Sequence, residues 1–183
     1  MTETQNKRLP AKKRREKMMH MLIHASLPLT GSTLAETLHV SRQVIVQDIA
    51  LLKAQQCPII ATAQGYLFLR ESSTSKTTRL IACVHNVVET EHELTLIVDQ
   101  DVSIINVTVE HPLYGEITGS LMIRTREDVQ HFMKRLTSSG ASLLSSLTGG
   151  VHLHLLEAAS SEQIDRAVAA LQAAGYLLDA RQK

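Results

Sequence analysis

Apolar positions along this chain follow two rhythms, one for each half. In the first seventy residues they recur three or four apart, the spacing of helices buried on one side. The clearest case is Val40–Ala54. Val44, Ile45, Ile49 and Leu52, with Leu51 beside them, form an apolar face, and Arg42, Gln43, Gln47 and Lys53 form a polar one. Ser41 is the expected N-cap, its hydroxyl oxygen accepting from the first free backbone N–H groups. Upstream, Lys12, Lys13, Arg14, Arg15 and Lys17 lead into Met18, Met19, Leu22 and Ile23, a helix with a basic first half that Pro28 ends. Leu29–Ser32 reads as a turn. Thr33–His39 reads as a short helix capped by Ser32 or Thr33, with Leu34, Ala35 and Leu38 inward. Pro58 closes the third helix. Ile59–Ala63 and Tyr66–Arg70 then alternate as strands around Gln64-Gly65, a hairpin turn signal. A short helix, a tight turn, a second helix and a hairpin spell a winged helix-turn-helix.

The second half keeps a strand rhythm broken by helices. Glu71–Thr78 is polar and low in complexity, so the linker is placed at 71–78, between a domain at 1–70 and another at 79–183. Strands are expected at Arg79–His85, Ser103–Glu110, Glu116–Arg124 and Gly150–Glu157. Helices are expected at Glu91–Gln100, Arg126–Ser138 (capped by Thr125) and Ser161–Ala174 (capped by Ser160, closed by Gly175). Ala141–Thr148 reads as a loop or a short extra strand. The order β-α-β-β-α-β-α predicts an antiparallel sheet with helices on one face, a two-layer, ferredoxin-like arrangement, so the chain is of the α+β class.

Charge sharpens this division. Residues 1–70 carry ten Lys/Arg against four Asp/Glu, and residues 71–183 carry nine against fourteen. A basic front that meets a polyanion and an acidic back with another task fit that asymmetry. No stretch approaches the ~18 uninterrupted apolar residues of a membrane helix, and no signal-like apolar run follows the basic start, so a cytoplasmic, membrane-free protein is expected. Cys57 and Cys83 have no CxxC spacing and read as ordinary reduced residues.

Two groups of residues can carry chemistry. Arg and Gln read base edges bidentately in the major groove. Arg42 and Gln43 are therefore the candidates for base edges on double-stranded DNA, Gln47 for a base or phosphate, and Ser41 for a phosphate. Lys12, Lys13, Arg14 and Arg15 are candidates for phosphates along the first helix. The same pattern also describes the solvated face of an ordinary amphipathic helix. The second group is Gly149-Gly-Val-His-Leu-His-Leu155. On a strand, His152 and His154 share a side, with Val151, Leu153 and Leu155 expected toward the core. If the last strand pairs beside the first, His85 and Glu93 can complete an N₃O donor set suited to Ni²⁺, Zn²⁺, Co²⁺ or Fe²⁺. Glu93 has a rival role in a Thr90-to-Glu93 capping box, and Glu89, Glu91 and His92 lie close by.

These segments resemble a known family. Pro28-Leu-Thr-Gly31, Val40–Ile49, Ile59–Thr62 and Gln64-Gly-Tyr66 in the front, with Ile81-Ala-Cys-Val-His85, Leu96–Asp99, Glu110–Glu116 and Gly150–His154 in the back, are similar to the niacin-responsive transcription repressors, a helix-turn-helix followed by a three-histidine (3H) domain. The matching segments span nearly the whole chain in order. The resemblance implies a homodimer joined through the 3H domain, and repression of genes for NAD biosynthesis or niacin uptake at a palindromic operator, with nicotinic acid as co-repressor. It also implies a divalent transition metal ion on His85, Glu93, His152 and His154, and an effector pocket bordered by His111 and Tyr114 of the His-Pro-Leu-Tyr-Gly segment. It makes the chain a regulator and not an enzyme. Two alternatives keep the same residues: a repressor that senses the metal itself, and a metal-dependent hydrolase fused to a DNA-binding module.

Overall fold

The computed structural model describes residues 9–69 and 76–178. They fall into two compact units, divided between Glu71 and Ser72. The expected linker at 71–78 lies outside the described residues as far as position 75.

The first unit contains α1 (Ala11–His24), α2 (Gly31–Leu38), α3 (Arg42–Ala54), β1 (Ile59–Thr62) and β2 (Gly65–Phe68). Its core is aliphatic, made by Met18 and Leu22 of α1, Leu34 and Leu38 of α2, Ile45, Ile49 and Leu52 of α3, and Ile59 of β1. Leu51, expected on the apolar face, is instead 49% exposed, and the buried place beside Ile49 goes to Asp48. The cap of α2 is neither Ser32 nor Thr33. Thr30 Oγ1 accepts from Thr33 N–H at 3.0 Å, so the helix starts two residues earlier than its apolar pattern shows. Ser41 caps α3, accepting from Val44 N–H. The β1–β2 hairpin turns at Ala63-Gln64, and Tyr66 exchanges both backbone hydrogen bonds with Leu29. That third short partner explains Gly65. At φ +141°, a Cβ there would stand 2.6 Å from the Leu29 carbonyl oxygen.

The second unit runs β3 (Thr77–Val84), α4 (Thr90–Val98), β4 (Ser103–His111), β5 (Gly115–Ile123), α5 (Arg126–Ser139), β6 (Val151–Ala158) and α6 (Ser161–Ala174). Thr77 and Thr78, expected in the linker, already pair with Ala158 and Glu157 of β6. The sheet order is β3-β6-β4-β5 with every neighbour antiparallel, so the last strand lies beside the first and also beside β4. Leu144–Thr148 forms a 3₁₀ turn, neither of the two forms expected there.

The alternation along β6 is the reverse of the expected one. His152, His154, Leu156 and Ala158 are buried, while Val151 is 39% exposed and Leu153 and Leu155 are half-buried. Apolarity alone assigns the Val/Leu side to the core. The structure turns the histidine side under the helices, where polar groups need partners.

Candidate metal centre and nucleic-acid interface

The β6 register fixes the histidines. His152 stands opposite Cys83 and His154 opposite Ile81 on β3, and His154 also pairs with Val107 of β4. His85 follows the end of β3. Glu93 comes from the first turn of α4 and is 1% exposed. Its carboxylate lies 2.8 Å from His85 Nε2, 3.2 Å from His152 Nε2 and 3.5 Å from His154 Nε2. The rings stand edge to face, with centroids 5.0 Å apart for His85–His152 and 4.8 Å for His152–His154. All three imidazole side chains are only 3% exposed.

The outer nitrogens decide what this cluster can hold. Each Nδ1 lies 2.8 Å from a backbone carbonyl: His85 from Asn86, His152 from Gly150, His154 from Asn106. A carbonyl oxygen can only accept, so each Nδ1 carries a proton. In neutral rings the three Nε2 lone pairs then face a carboxylate, four acceptors with no donor among them. Without a proton, His85 Nε2 has no hydrogen-bond partner despite lying 2.8 Å from Glu93. A cation resolves the conflict, either a proton on the imidazoles or a metal ion. The donor set fits a metal. Ligand atoms about 2.1 Å from one ion lie about 3.0–3.4 Å from one another, close to the separations of the Glu93 carboxylate from the three Nε2 atoms. The carbonyl partners are the outer hydrogen bonds that orient metal-binding histidines. With protons alone, burial pushes the Glu93 carboxyl up, but hydrogen bonds from His152, His154 and His85 together outweigh it and hold it far below the ordinary range. Burial lowers His85, and the Glu93 hydrogen bond and charge together overcome it, so its pKa is raised.

The rival carboxylates have other positions. Glu89, not Glu93, closes a capping box, accepting from Asn86 N–H at 2.8 Å. Glu91 is exposed and His92 Nδ1 lies 2.8 Å from the Tyr176 hydroxyl. One neighbour escaped the sequence reading. The Cys83 thiol is fully buried and its sulfur lies within 4.8 Å of ligand atoms on Glu93 and His152. A lone cysteine without a partner spacing gave no signal; only the Cys83–His152 register reveals it. Burial, with the Glu93 charge beside it, pushes this thiol well above its ordinary pKa, so it stays protonated.

A partly open cavity lies beside the cluster, its atom-free space of about 330 Å³ including open solvent at its mouth. His85, Glu93, His152 and His154 line it together with the apolar side chains of Leu94, Val107, Leu121, Phe132, Leu143 and Leu144. Such a cavity, apolar with a few convergent polar groups, is the usual form of a small-molecule site. His111 and Tyr114 do not line it. They sit at the β4–β5 turn with their rings 5.0 Å apart, and Tyr114 is 72% exposed.

In the first unit, Ser41, Arg42, Gln43 and Gln47 are all exposed on one side of α3. Val46, 41% exposed and belonging to neither the apolar nor the polar set expected for this helix, lies among them. Lys12 and Lys13 are exposed. Arg14 is not available to phosphates. It is 8% exposed, and its guanidinium grips Asp48 of α3 through Nε at 2.6 Å and a terminal nitrogen at 3.2 Å. Arg15 is half-buried and touches the same carboxylate at 3.4 Å. Two of the four expected phosphate contacts therefore join α1 to α3.

Comparison with known proteins agrees with both halves. Residues 78–180 match the 3H domain family, and residues 14–67 match a helix-turn-helix family described as an HTH domain. The chain is 46% identical over 177 residues to the transcription repressor NadR of Bacillus subtilis (strain 168), spanning 96% of this chain and 98% of that protein. It is 38% identical over 166 residues to a probable transcription repressor, NiaR, of Thermotoga maritima, spanning 91% and 94%. No helix among the described residues is long and apolar enough to cross a membrane.

Proposed function

The chain belongs to the niacin-responsive transcription repressor family, a helix-turn-helix joined to a 3H domain, and from that premise we propose that nicotinic acid binds the cavity beside the histidine cluster and acts as co-repressor. The chain is a DNA-binding repressor of NAD-related genes and not an enzyme, and the hydrolase alternative is set aside because the relatives are named repressors. The observation that carries the reading is one arrangement: three imidazole Nε2 atoms and one carboxylate, buried, open onto a cavity with mainly apolar walls. His85, Glu93, His152 and His154 would hold a divalent transition metal. A bound ion would supply a positive charge to which a small carboxylate can bind.

The remaining residues have supporting tasks. The apolar walls accept a flat aromatic ring and exclude water from it. Arg42, Gln43 and Gln47 would read base edges, with Val46 against a thymine methyl, and Ser41, Lys12 and Lys13 would touch phosphates. A homodimer through the second unit would present two copies of α3 to a palindromic operator about one DNA turn (~34 Å) apart. The sheet face opposite the histidines supports that dimer, because Leu80, Val151, Leu153 and Leu155 leave an apolar surface there, with Leu80 57% exposed. A cytoplasmic setting follows from the DNA target.

The test is nicotinate binding to metal-free and metal-loaded protein. One ion per chain, lost in His152→Ala and His154→Ala, with nicotinate bound only by the loaded wild type, is the expected result. Nicotinate bound equally well after chelation and in both variants would overturn the reading. A change in DNA affinity on adding metal alone would favour a metal-sensing repressor.

A further inference from the structure

Thr90 opens α4, one turn before Glu93 on the same helix face, and lines the same cavity. It is 6% exposed, and its hydroxyl has no hydrogen-bond partner. The reason is local. A helical threonine usually bonds back to the carbonyl four residues earlier. Thr37, Thr95 and Thr137 all do so, to Thr33, Glu91 and Met133. For Thr90 that carbonyl belongs to Asn86, and it is already engaged twice, by His85 Nδ1 at 2.8 Å and by Glu89 N–H at 3.0 Å. The hydrogen bond that orients the His85 imidazole thus displaces the Thr90 hydroxyl from its usual acceptor. The hydroxyl is left buried at the wall of a cavity whose other polar groups are the histidine cluster and Ser145.

We propose that Thr90 is a ligand-binding residue of this cavity, its hydroxyl donating to a carboxylate oxygen or ring nitrogen of a small aromatic acid. The inference rests on the reading that the cavity takes nicotinate. It gives the ligand a second polar anchor, set on α4 beside the cluster, and makes the bound molecule supply the acceptor that the protein withholds.

The experiment is a calorimetric titration of the Zn²⁺-loaded full chain with nicotinate, for wild type, Thr90→Val and Thr90→Ser. Valine keeps the shape and removes the hydroxyl, and serine keeps the hydroxyl. Thr90→Val is expected to bind about tenfold more weakly, the usual loss for one hydrogen bond to a charged group, with Thr90→Ser within about twofold of wild type and Zn²⁺ content equal in all three. Without ligand, Thr90→Val is expected to melt at the same temperature or higher, because it replaces an unsatisfied buried hydroxyl with a methyl group. Equal nicotinate affinity in Thr90→Val overturns the role of Thr90 and leaves the nicotinate reading standing. A lower melting temperature for ligand-free Thr90→Val also overturns it, by showing a structural task. Absence of nicotinate binding to the wild type overturns the nicotinate reading, and the Thr90 role with it.

Discussion

Arg14 and Asp48 separate a structural role from a DNA-binding one, and a double-mutant cycle measures which holds. The pair is buried, with side chains 9% and 4% exposed, and is bonded through two nitrogens and both carboxylate oxygens. Replacing Arg14 with Met keeps the packing of the stem but leaves the Asp48 carboxylate with only Arg15 at 3.4 Å. Replacing Asp48 with Leu strands two guanidinium groups against the helix. Removing one partner of a buried pair costs about 3–5 kcal/mol, whereas replacing both with apolar groups is often close to neutral. Arg15 offsets part of the loss when Arg14 is removed, so about 3 kcal/mol is expected for each single variant and, with a double variant close to neutral, a coupling of about 6 kcal/mol in the cycle. For a unit of this size, about 3 kcal/mol lowers the melting temperature by about 12–24 °C, readily seen by calorimetry of the full chain. The same samples answer the DNA question. Each phosphate contact contributes about 0.9 to the slope of log affinity against log salt. Lys12→Ala and Lys13→Ala should each flatten that slope, and Arg14→Met, measured below its melting point, should leave it unchanged. Additive single effects, or a slope flattened by Arg14→Met, would refute the assignment of Arg14 to the interior.

Other expectations follow from the site. Gly150→Ala should lower metal affinity about 10–100-fold, the usual cost of disturbing the hydrogen bonds behind metal ligands. At φ +95° the added Cβ would overlap the His85 carbonyl oxygen, and the Gly150 carbonyl is the partner of His152 Nδ1; metal content after dialysis checks it. In chelator, stability should be greatest in mildly acidic solution. Glu93, with its pKa lowered from 4.5, contributes above about 4.5 and loses that as pH falls. His85, with its pKa raised from 6.5, contributes below about 6.5 and loses that as pH rises through its folded value. Metal-loaded protein should show the opposite trend, stabilised at neutral and alkaline pH and losing that on acidification, since ligating imidazoles must be unprotonated. Melting curves against pH with and without chelator that run parallel would contradict this.

Much of the fold was legible because its signals are local. The three front helices, the hairpin around Gly65 and the βαββαβα order all follow from periodicity, prolines and caps. The His-x-His spacing marks β6 for the same reason, because a strand alternates sides whatever its partners. What escaped depended on tertiary context. A buried Arg14 looks like its neighbours Lys12 and Lys13 until Asp48, thirty-four positions away, meets it. The inward turn of the histidines on β6 defeats hydropathy, since Val151, Leu153 and Leu155 lie on the outer side. Cys83 and the orphaned hydroxyl of Thr90 depend on strand register and on a carbonyl already occupied, neither of which is written in spacing.

The coupling between the two units is best tested by the affinity of the full chain for operator DNA from an NAD-related gene, measured by fluorescence anisotropy with Zn²⁺, with nicotinate, with both and with neither. The expected result is a gain of about 5–150-fold, the usual range of such coupling, that requires nicotinate and Zn²⁺ together and disappears in His154→Ala. Affinity that is indifferent to nicotinate in metal-loaded protein, or that rises fully with Zn²⁺ alone, would contradict it.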